Sequence, residues 1–249
     1  MSLQMKNITK DFKNIKALSD ISINFEENKI TGLIGFNGSG KTTSFNILTN
    51  LIEKFDGKVT MNNQPLNEDD FFKISYLSAG YEAQNDDSIS RHLLYIGLAY
   101  GMSKKETIQK IEELNKIVQI QGDLNQRIKK LSKGNQQKIK IIAAFLNPNL
   151  KYLLMDEPFD GLDPIMIDRI KKFILTFREK VTIIITSHRM EIVDEMCDSF
   201  YILKNGLLVE HKNKNHLNSI NIITNLETDI KKLENLKEII SIKKRKDEI

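Results

Sequence analysis

The 249-residue sequence contains a single cysteine, Cys197, so an internal disulfide is excluded. Set among apolar positions of an expected helix, this thiol reads as a buried structural group and not as a nucleophile. Long apolar runs are also missing. Ile139 to Leu146 and Val181 to Ile185 fall well short of the roughly 18 to 20 residues a membrane-spanning helix needs, and Lys140 interrupts the first. The N-terminal Met1-Ser2-Leu3-Gln4-Met5-Lys6 lacks the apolar core of a signal peptide, so the expectation is a cytosolic protein, soluble or peripheral. No charge of one sign dominates. The 37 basic and 33 acidic residues leave a formal charge of +4, and the basic ones form no stripe with interleaved aromatics, which argues against a nucleic-acid surface. Only Lys243-Lys244-Arg245-Lys246 is concentrated, and it reads as a solvated tail in preference to a lipid or nucleic-acid contact. The length suits one large α/β domain, or a domain with an appendage, around a substantial core.

The most informative stretch is Gly35-Phe36-Asn37-Gly38-Ser39-Gly40-Lys41-Thr42-Thr43. Before it, Ile30-Thr31-Gly32-Leu33-Ile34 has the character of a buried strand; after it, Ser44 to Leu51 carries apolar residues at helical spacing. In a strand, glycine loop and helix arrangement, backbone N–H groups converge on phosphate oxygens and the helix dipole adds to their pull. Lys41 can reach the β- and γ-phosphates and Thr42 can ligate Mg²⁺. A nucleoside triphosphate is the implied ligand.

Residues 1 to 34 alternate polar and apolar and read as antiparallel strands, with a turn at Glu27-Asn28-Lys29. Phe12, flanked by charges, is either a core aromatic or one that stacks on a base. Phe55 to Met61 reads as a turn and strand. Ser88 to Tyr100 reads as a helix, and Ser103-Lys104-Lys105-Glu106 is a capping box that opens another, with Ile108, Ile111 and Leu114 on one face. Leu131-Ser132-Lys133-Gly134-Asn135-Gln136-Gln137-Lys138 leads a helix that runs to Leu146, and its N-terminus is either an ordinary cap or a second anion site. The apolar strand Lys151 to Met155 ends in Asp156 and Glu157. These acids are either a solvated strand end, or a Mg²⁺ ligand acting through water beside a base that polarises an attacking water. Asp163-Pro164 forms an N-cap and first turn for a helix bearing Ile167, Ile170, Phe173, Ile174 and Phe177. Val181 to Thr186 is a buried strand followed by His188, structural or functional at a position where α/β folds bind ligands. Phe200 to Val209 is a hairpin around Asn205-Gly206.

In this order and spacing, these segments over residues 1 to about 211 resemble the ATP-binding subunit of an ABC transporter. Gly35 to Thr43 match the family's Walker A, Leu131 to Gln136 its signature, Leu153 to Glu157 its Walker B with the catalytic glutamate, Phe159 to Asp163 its D-loop, and His188 its switch histidine. The resemblance implies an α/β fold of the P-loop NTPase type: a mostly parallel sheet core, an N-terminal antiparallel β subdomain and an inserted helical subdomain at about 80–137. A linker at 212–219 and a small strand-helix-strand appendage at 220–249 follow. It further implies that Phe12 stacks on adenine, that residues 35–43 and Asp163 help hold ATP, and that Thr42 and Asp156 hold Mg²⁺. Glu157 and His188 would be catalytic. Ser132, Gly134 and Gln136 would reach the nucleotide of a second copy or of a paralogous subunit, in a head-to-tail dimer.

The partner implied is a separate integral membrane permease, met by the helical subdomain at the cytoplasmic face of the membrane. The signature form and the run Thr186-Ser187-His188-Arg189-Met190 look most like bacterial exporters of the sodium and drug efflux type. One position departs from the family. Where it has a Q-loop glutamine or glutamate, Tyr76-Leu77-Ser78-Ala79 places Ala79, which cannot ligate Mg²⁺, and Gln84 is out of register. Weakened Mg²⁺ binding and coupling are therefore expected. The alternative, a soluble ABC ATPase acting on ribosomes or nucleic acid, is disfavoured: such chains carry two cassettes or a long coiled coil between phosphate loop and signature, for which there is no room here. A GTPase is remote, since no Asn-Lys-x-Asp stretch occurs.

Overall fold

A computed structural model describes residues 2–13, 15–79, 87–211 and 221–222, the last two and 209–211 by backbone alone. The first elements are β1 (Leu3–Phe12), β2 (Ile15–Phe25), β3 (Ile30–Ile34), α1 (Lys41–Leu48), β4 (Asp56–Met61), β5 (Gln64–Pro65), α2 (Glu68–Phe71) and β6 (Ile74–Leu77). Then come α3 (Ile89–Ala99), α4 (Lys104–Val118), a 3₁₀ turn at Ile128–Lys130, α5 (Lys133–Ala144), β7 (Tyr152–Asp156) and α6 (Pro164–Leu175). The last are β8 (Thr182–Ser187), α7 (Met190–Met196), β9 (Ser199–Lys204), β10 (Leu207–His211) and β11 (Asn221–Ile222).

The strands form two sheets, β2-β1-β4-β5 and β11-β10-β9-β3-β8-β7-β6. The first is antiparallel; in the second, β6 to β9 and β3 are parallel and β10 and β11 antiparallel. The reading of residues 1 to 34 as antiparallel strands throughout is therefore corrected at β3. All five of its residues are buried, so it needs cover on both faces, and it lies between β8 and β9 in the larger sheet.

Because side chains alternate along a strand, the larger sheet feeds two cores. Ile30 and Ile34 of β3, Leu153 and Met155 of β7, and Ile183 and Ile185 of β8 join a cluster with α3 to α7. Leu33, Leu154 and Ile184, their neighbours in sequence, face a second cluster with Phe45 of α1 and the inner face of β1 and β2. Each such side chain stabilises by roughly 1.5–3 kcal/mol on burial.

The capping box at Ser103 forms, with Glu106 N–H donating to Ser103 Oγ and Ser103 N–H to Glu106 Oε2. On α4 the buried face is Thr107, Ile111, Leu114 and Val118, whereas Ile108 is exposed. Thr107 can sit inside because its hydroxyl donates to Ser103 O at 2.9 Å. Two helix ends fall short of their expected limits. α5 stops at Ala144 and α6 at Leu175, yet Phe177 still packs its ring 4.8 Å from that of Phe145. Cys197 caps the C-terminus of α7 and is buried. The linker and appendage expected at 212–249 lie outside the described residues, apart from β11, which pairs with β10.

Candidate active site

Three neighbouring parallel strands, β3, β8 and β7, end at one edge of the sheet, and a loop bearing polar residues leaves each. From β3 the chain enters residues 35–40 and turns directly into α1. Gly40 is its N-cap at φ 110°, and no side chain caps the helix. A Cβ there would lie 2.6 Å from Leu18 Cδ2 and 2.8 Å from Ala17 O, so the loop touches the β1–β2 hairpin where only glycine fits. Above Gly38, at φ 79°, nothing lies within 4 Å. Gly35, Ser39 and Lys41 are buried, while Phe36, Asn37 and Gly38 are exposed. Ser39 Oγ is buried with no hydrogen-bond partner, and Gly206 N–H donates to Ser39 O at 3.2 Å. Lys41 Nζ donates to Gly35 O at 2.6 Å and Phe36 O at 3.2 Å, and lies 3.6 Å from Glu157 Oε1.

Asp156 is 1% exposed and accepts two hydroxyl hydrogen bonds, from Thr42 at 2.7 Å and from Thr186 at 2.6 Å. Register explains the second, since Asp156 is the direct partner of Thr186 across β7 and β8. Thr186 Oγ1 also accepts the N–H of Glu157 at 2.9 Å. Glu157 adopts φ 47°, the left-handed region, and its Oε2 meets His188 Nδ1 at 3.1 Å. Ligand atoms of Glu157, Asp160 and His188 converge within 4.8 Å. On β6, burial first and the charge of Asp156 second push the Tyr76 phenol up to about 12.

This site fits a phosphate and a hard cation. An uncapped helix start, an open position over Gly38, an orphaned Ser39 hydroxyl and a buried lysine suit phosphate oxygens. The hydroxyl of Thr42 against the carboxylate of Asp156 is the all-oxygen set Mg²⁺ requires. With both hydroxyl protons directed at Asp156, the lone pairs of Thr42 remain available.

The remaining expected residues sit elsewhere. Phe12 is 44% exposed at the end of β1, with Lys10 Nζ 4.8 Å from its ring, on the hairpin that touches Gly40. Ser132 caps α5, accepting from Asn135 N–H at 3.3 Å, and Gln136 Nε2 donates to Leu131 O. Gly134 approaches Gly161 so closely that a Cβ would lie 2.8 Å from its carbonyl oxygen. Asp163 caps α6 through Met166 N–H at 2.9 Å. Among the described residues, no hydrogen bond joins Ser132, Gly134 or Gln136 to residues 35–43. Ala79 is exposed and its carbonyl accepts from Lys140 Nζ at 3.2 Å; Gln84 lies outside the described residues. Sequence reasoning missed Thr186, and also Gln137, whose Nε2 donates to Pro158 O at 2.8 Å. A hydroxyl directly after the three isoleucines of β8 was the available signal for the first; a buried amide on a helix offers none.

The family profile described as ABC transporter matches residues 18–160. The uncharacterised ABC transporter ATP-binding protein YhaQ of Bacillus subtilis is 34% identical over 82% of this chain and 68% of its own length. The uncharacterised ABC transporter ATP-binding protein MJ1023 of Methanocaldococcus jannaschii is 36% identical over 84% of this chain and 76% of its own. Among solved structures, the ATP-binding cassette MJ1267 superposes with a TM-score of 0.72 at 26% identity, over 86% of this chain and 92% of that one. A profile match across more than half the chain, relatives of this similarity and a shared cassette fold place the protein in the family of ABC transporter ATP-binding subunits, which bind and hydrolyse ATP.

Proposed function

We propose that this chain powers a separate membrane permease, an exporter, by ATP-driven head-to-tail pairing of two ATP-binding subunits, either two copies or this chain with a paralogue. The observation that carries the chemistry is the continuous set of hydrogen bonds from Thr42 through Asp156 and Thr186 to Glu157, beside Lys41. Residues 35–43 hold the phosphates, with Lys41 exchanging its loop carbonyls for phosphate oxygens. Phe12 stacks on the adenine. Thr42 and Asp156 hold Mg²⁺, which when bound supplies charge neutralisation to the β- and γ-phosphates. Glu157 orients the attacking water and takes its proton, held in place by His188, which also faces the γ-phosphate. Ser132, Gly134 and Gln136 bind the γ-phosphate of the opposite subunit, and Asp163 belongs to the same interface.

The helical side also supports a membrane partner. Phe72, Tyr95 and Leu98 are exposed, and an apolar groove lined by Phe71, Phe72, Ala99 and Tyr100 lies there, a surface that suits a permease segment. No helix among the described residues is long and apolar enough to cross a membrane, consistent with peripheral attachment at the cytoplasmic face. The signature form supports export. Residues 1–211 would be the ATP-binding domain, with the segment from 220 an appendage after a linker.

The decisive experiment is Glu157→Gln. Hydrolysis is expected to fall below about 1% of wild type, while ATP stays bound and the protein runs as a dimer in light scattering; unimpaired turnover refutes the assignment. Co-purification with a polytopic membrane protein, and not with ribosomes, separates the transporter from the soluble alternative. At Ala79 the Mg²⁺ shell is one protein ligand short, so Ala79→Gln is expected to lower the Mg²⁺ concentration for half-maximal hydrolysis by about threefold. An unchanged Mg²⁺ dependence would remove that idea.

A further inference from the structure

Glu157 holds a backbone conformation that its residue type avoids. A left-handed φ of 47° is unfavourable for a residue with a Cβ, and it persists only where its surroundings enforce it. The enforcing contacts are visible on both sides of the residue. On the amino side its N–H donates to Thr186 Oγ1 at 2.9 Å. That hydroxyl must therefore accept here, and its own proton goes to Asp156 Oδ1 at 2.6 Å. On the carboxyl side, Gln137 Nε2 donates to Pro158 O at 2.8 Å and lies 3.4 Å from Glu157 O, which also accepts Asp160 N–H at 3.2 Å. Thr186 is fully buried and Gln137 is 6% exposed, so water does not readily replace either bond.

We infer that Thr186 and Gln137 are positioning residues that clamp the Glu157 peptide from its two ends and so aim the carboxylate at the attacking water. This inference rests on the reading of Glu157 as the group that activates water. Gln137 adds a second consequence. It stands on α5, the helix that Ser132 opens, and Gly134 of the same turn packs against Gly161. The part of the chain that meets the opposite subunit's nucleotide is thereby fastened to this chain's own Glu157.

The test uses the purified full-length chain with Gln137→Met, which keeps the side-chain volume and loses the donor, and Thr186→Val beside Thr186→Ser. Gln137→Met and Thr186→Val are expected to lower kcat about tenfold or more with the KM for ATP within about twofold, and Thr186→Ser to restore most of the turnover. Amide exchange supplies a readout independent of hydrolysis. In Gln137→Met the amides of Glu157 and Asp160 should exchange at least about tenfold faster, with the interior of α6 unchanged. Wild-type exchange and kcat in Gln137→Met would overturn the inference. So would a loss of kcat matched by a rise in KM and a lower melting temperature, which would mark a structural role. If Glu157→Gln itself hydrolyses ATP, the underlying reading has failed, and that outcome is distinct from a null result at Gln137.

Discussion

Two helices of this protein begin where a phosphate is expected, and they begin differently. α1 starts from Gly40 in the left-handed region with no side-chain cap, so its first N–H groups have no hydroxyl or carboxylate of their own chain. α5 starts from Ser132 in extended conformation, and its hydroxyl accepts the Asn135 N–H. The first start is shaped for a ligand. The second is capped by its own chain, and because the Ser132 hydroxyl uses only a lone pair in that cap, its proton stays available to a ligand oxygen. In the proposed dimer that proton would form a charge-assisted bond to phosphate only when a second subunit presents a nucleotide. The difference separates a permanent pocket from a conditional one.

The largest effect should come from closing the permanent pocket. Gly40→Ala forces a Cβ against Leu18 and Ala17 O at φ 110°, with an expected loss of about 2–4 kcal/mol in chemical denaturation and of ATP binding in calorimetry. Wild-type affinity in that variant would erase the distinction between the two starts. Smaller, and confined to the conditional pocket, is Ser132→Ala. It should lower stability by about 1 kcal/mol, leave monomer ATP affinity within about twofold and cut turnover at least about tenfold. Equal loss of binding and turnover would make α5 part of the permanent pocket.

The smallest effect is a pH dependence. Burial pulls the His92 imidazole on α3 below its ordinary 6.5, with Asp87 opposing. As pH falls below that value, the unfolded chain takes up a proton the folded one resists, so the contribution is intact above 6.5 and is lost on acidification. Amide exchange in α3 should accelerate from pH 7 to about pH 5.5 while α1 holds, and His92→Gln should flatten the difference.

Much of this was legible before any coordinates. The loop at 35–43 announces itself because phosphate binding demands glycines and a lysine at fixed spacing, and the capping box at Ser103 needs only two residues three apart. Strand existence followed from alternation, but which sheet β3 joins did not, since β8 and β9 lie about 150 residues downstream and local pattern carries no partner. The phase of α4 was misread at Ile108 because Thr107, polar on paper, satisfies its hydroxyl on its own helix. Gln137 and Thr186 escaped for a related reason. Their roles are defined by a backbone carbonyl and a backbone N–H, groups every residue has.

The turn at Asn205-Gly206 that donates to Ser39 O also has a bearing on how the molecule is made. On the ribosome, residues 35–43 emerge early, but β8 and β9, which flank the strand leading into them, and Gly206, which donates to Ser39 O, are synthesised more than about 130 residues later. Contacts so distant in sequence form slowly. The strand pairing and the Gly206 bond that fix this loop therefore form only after residue 206 has been added.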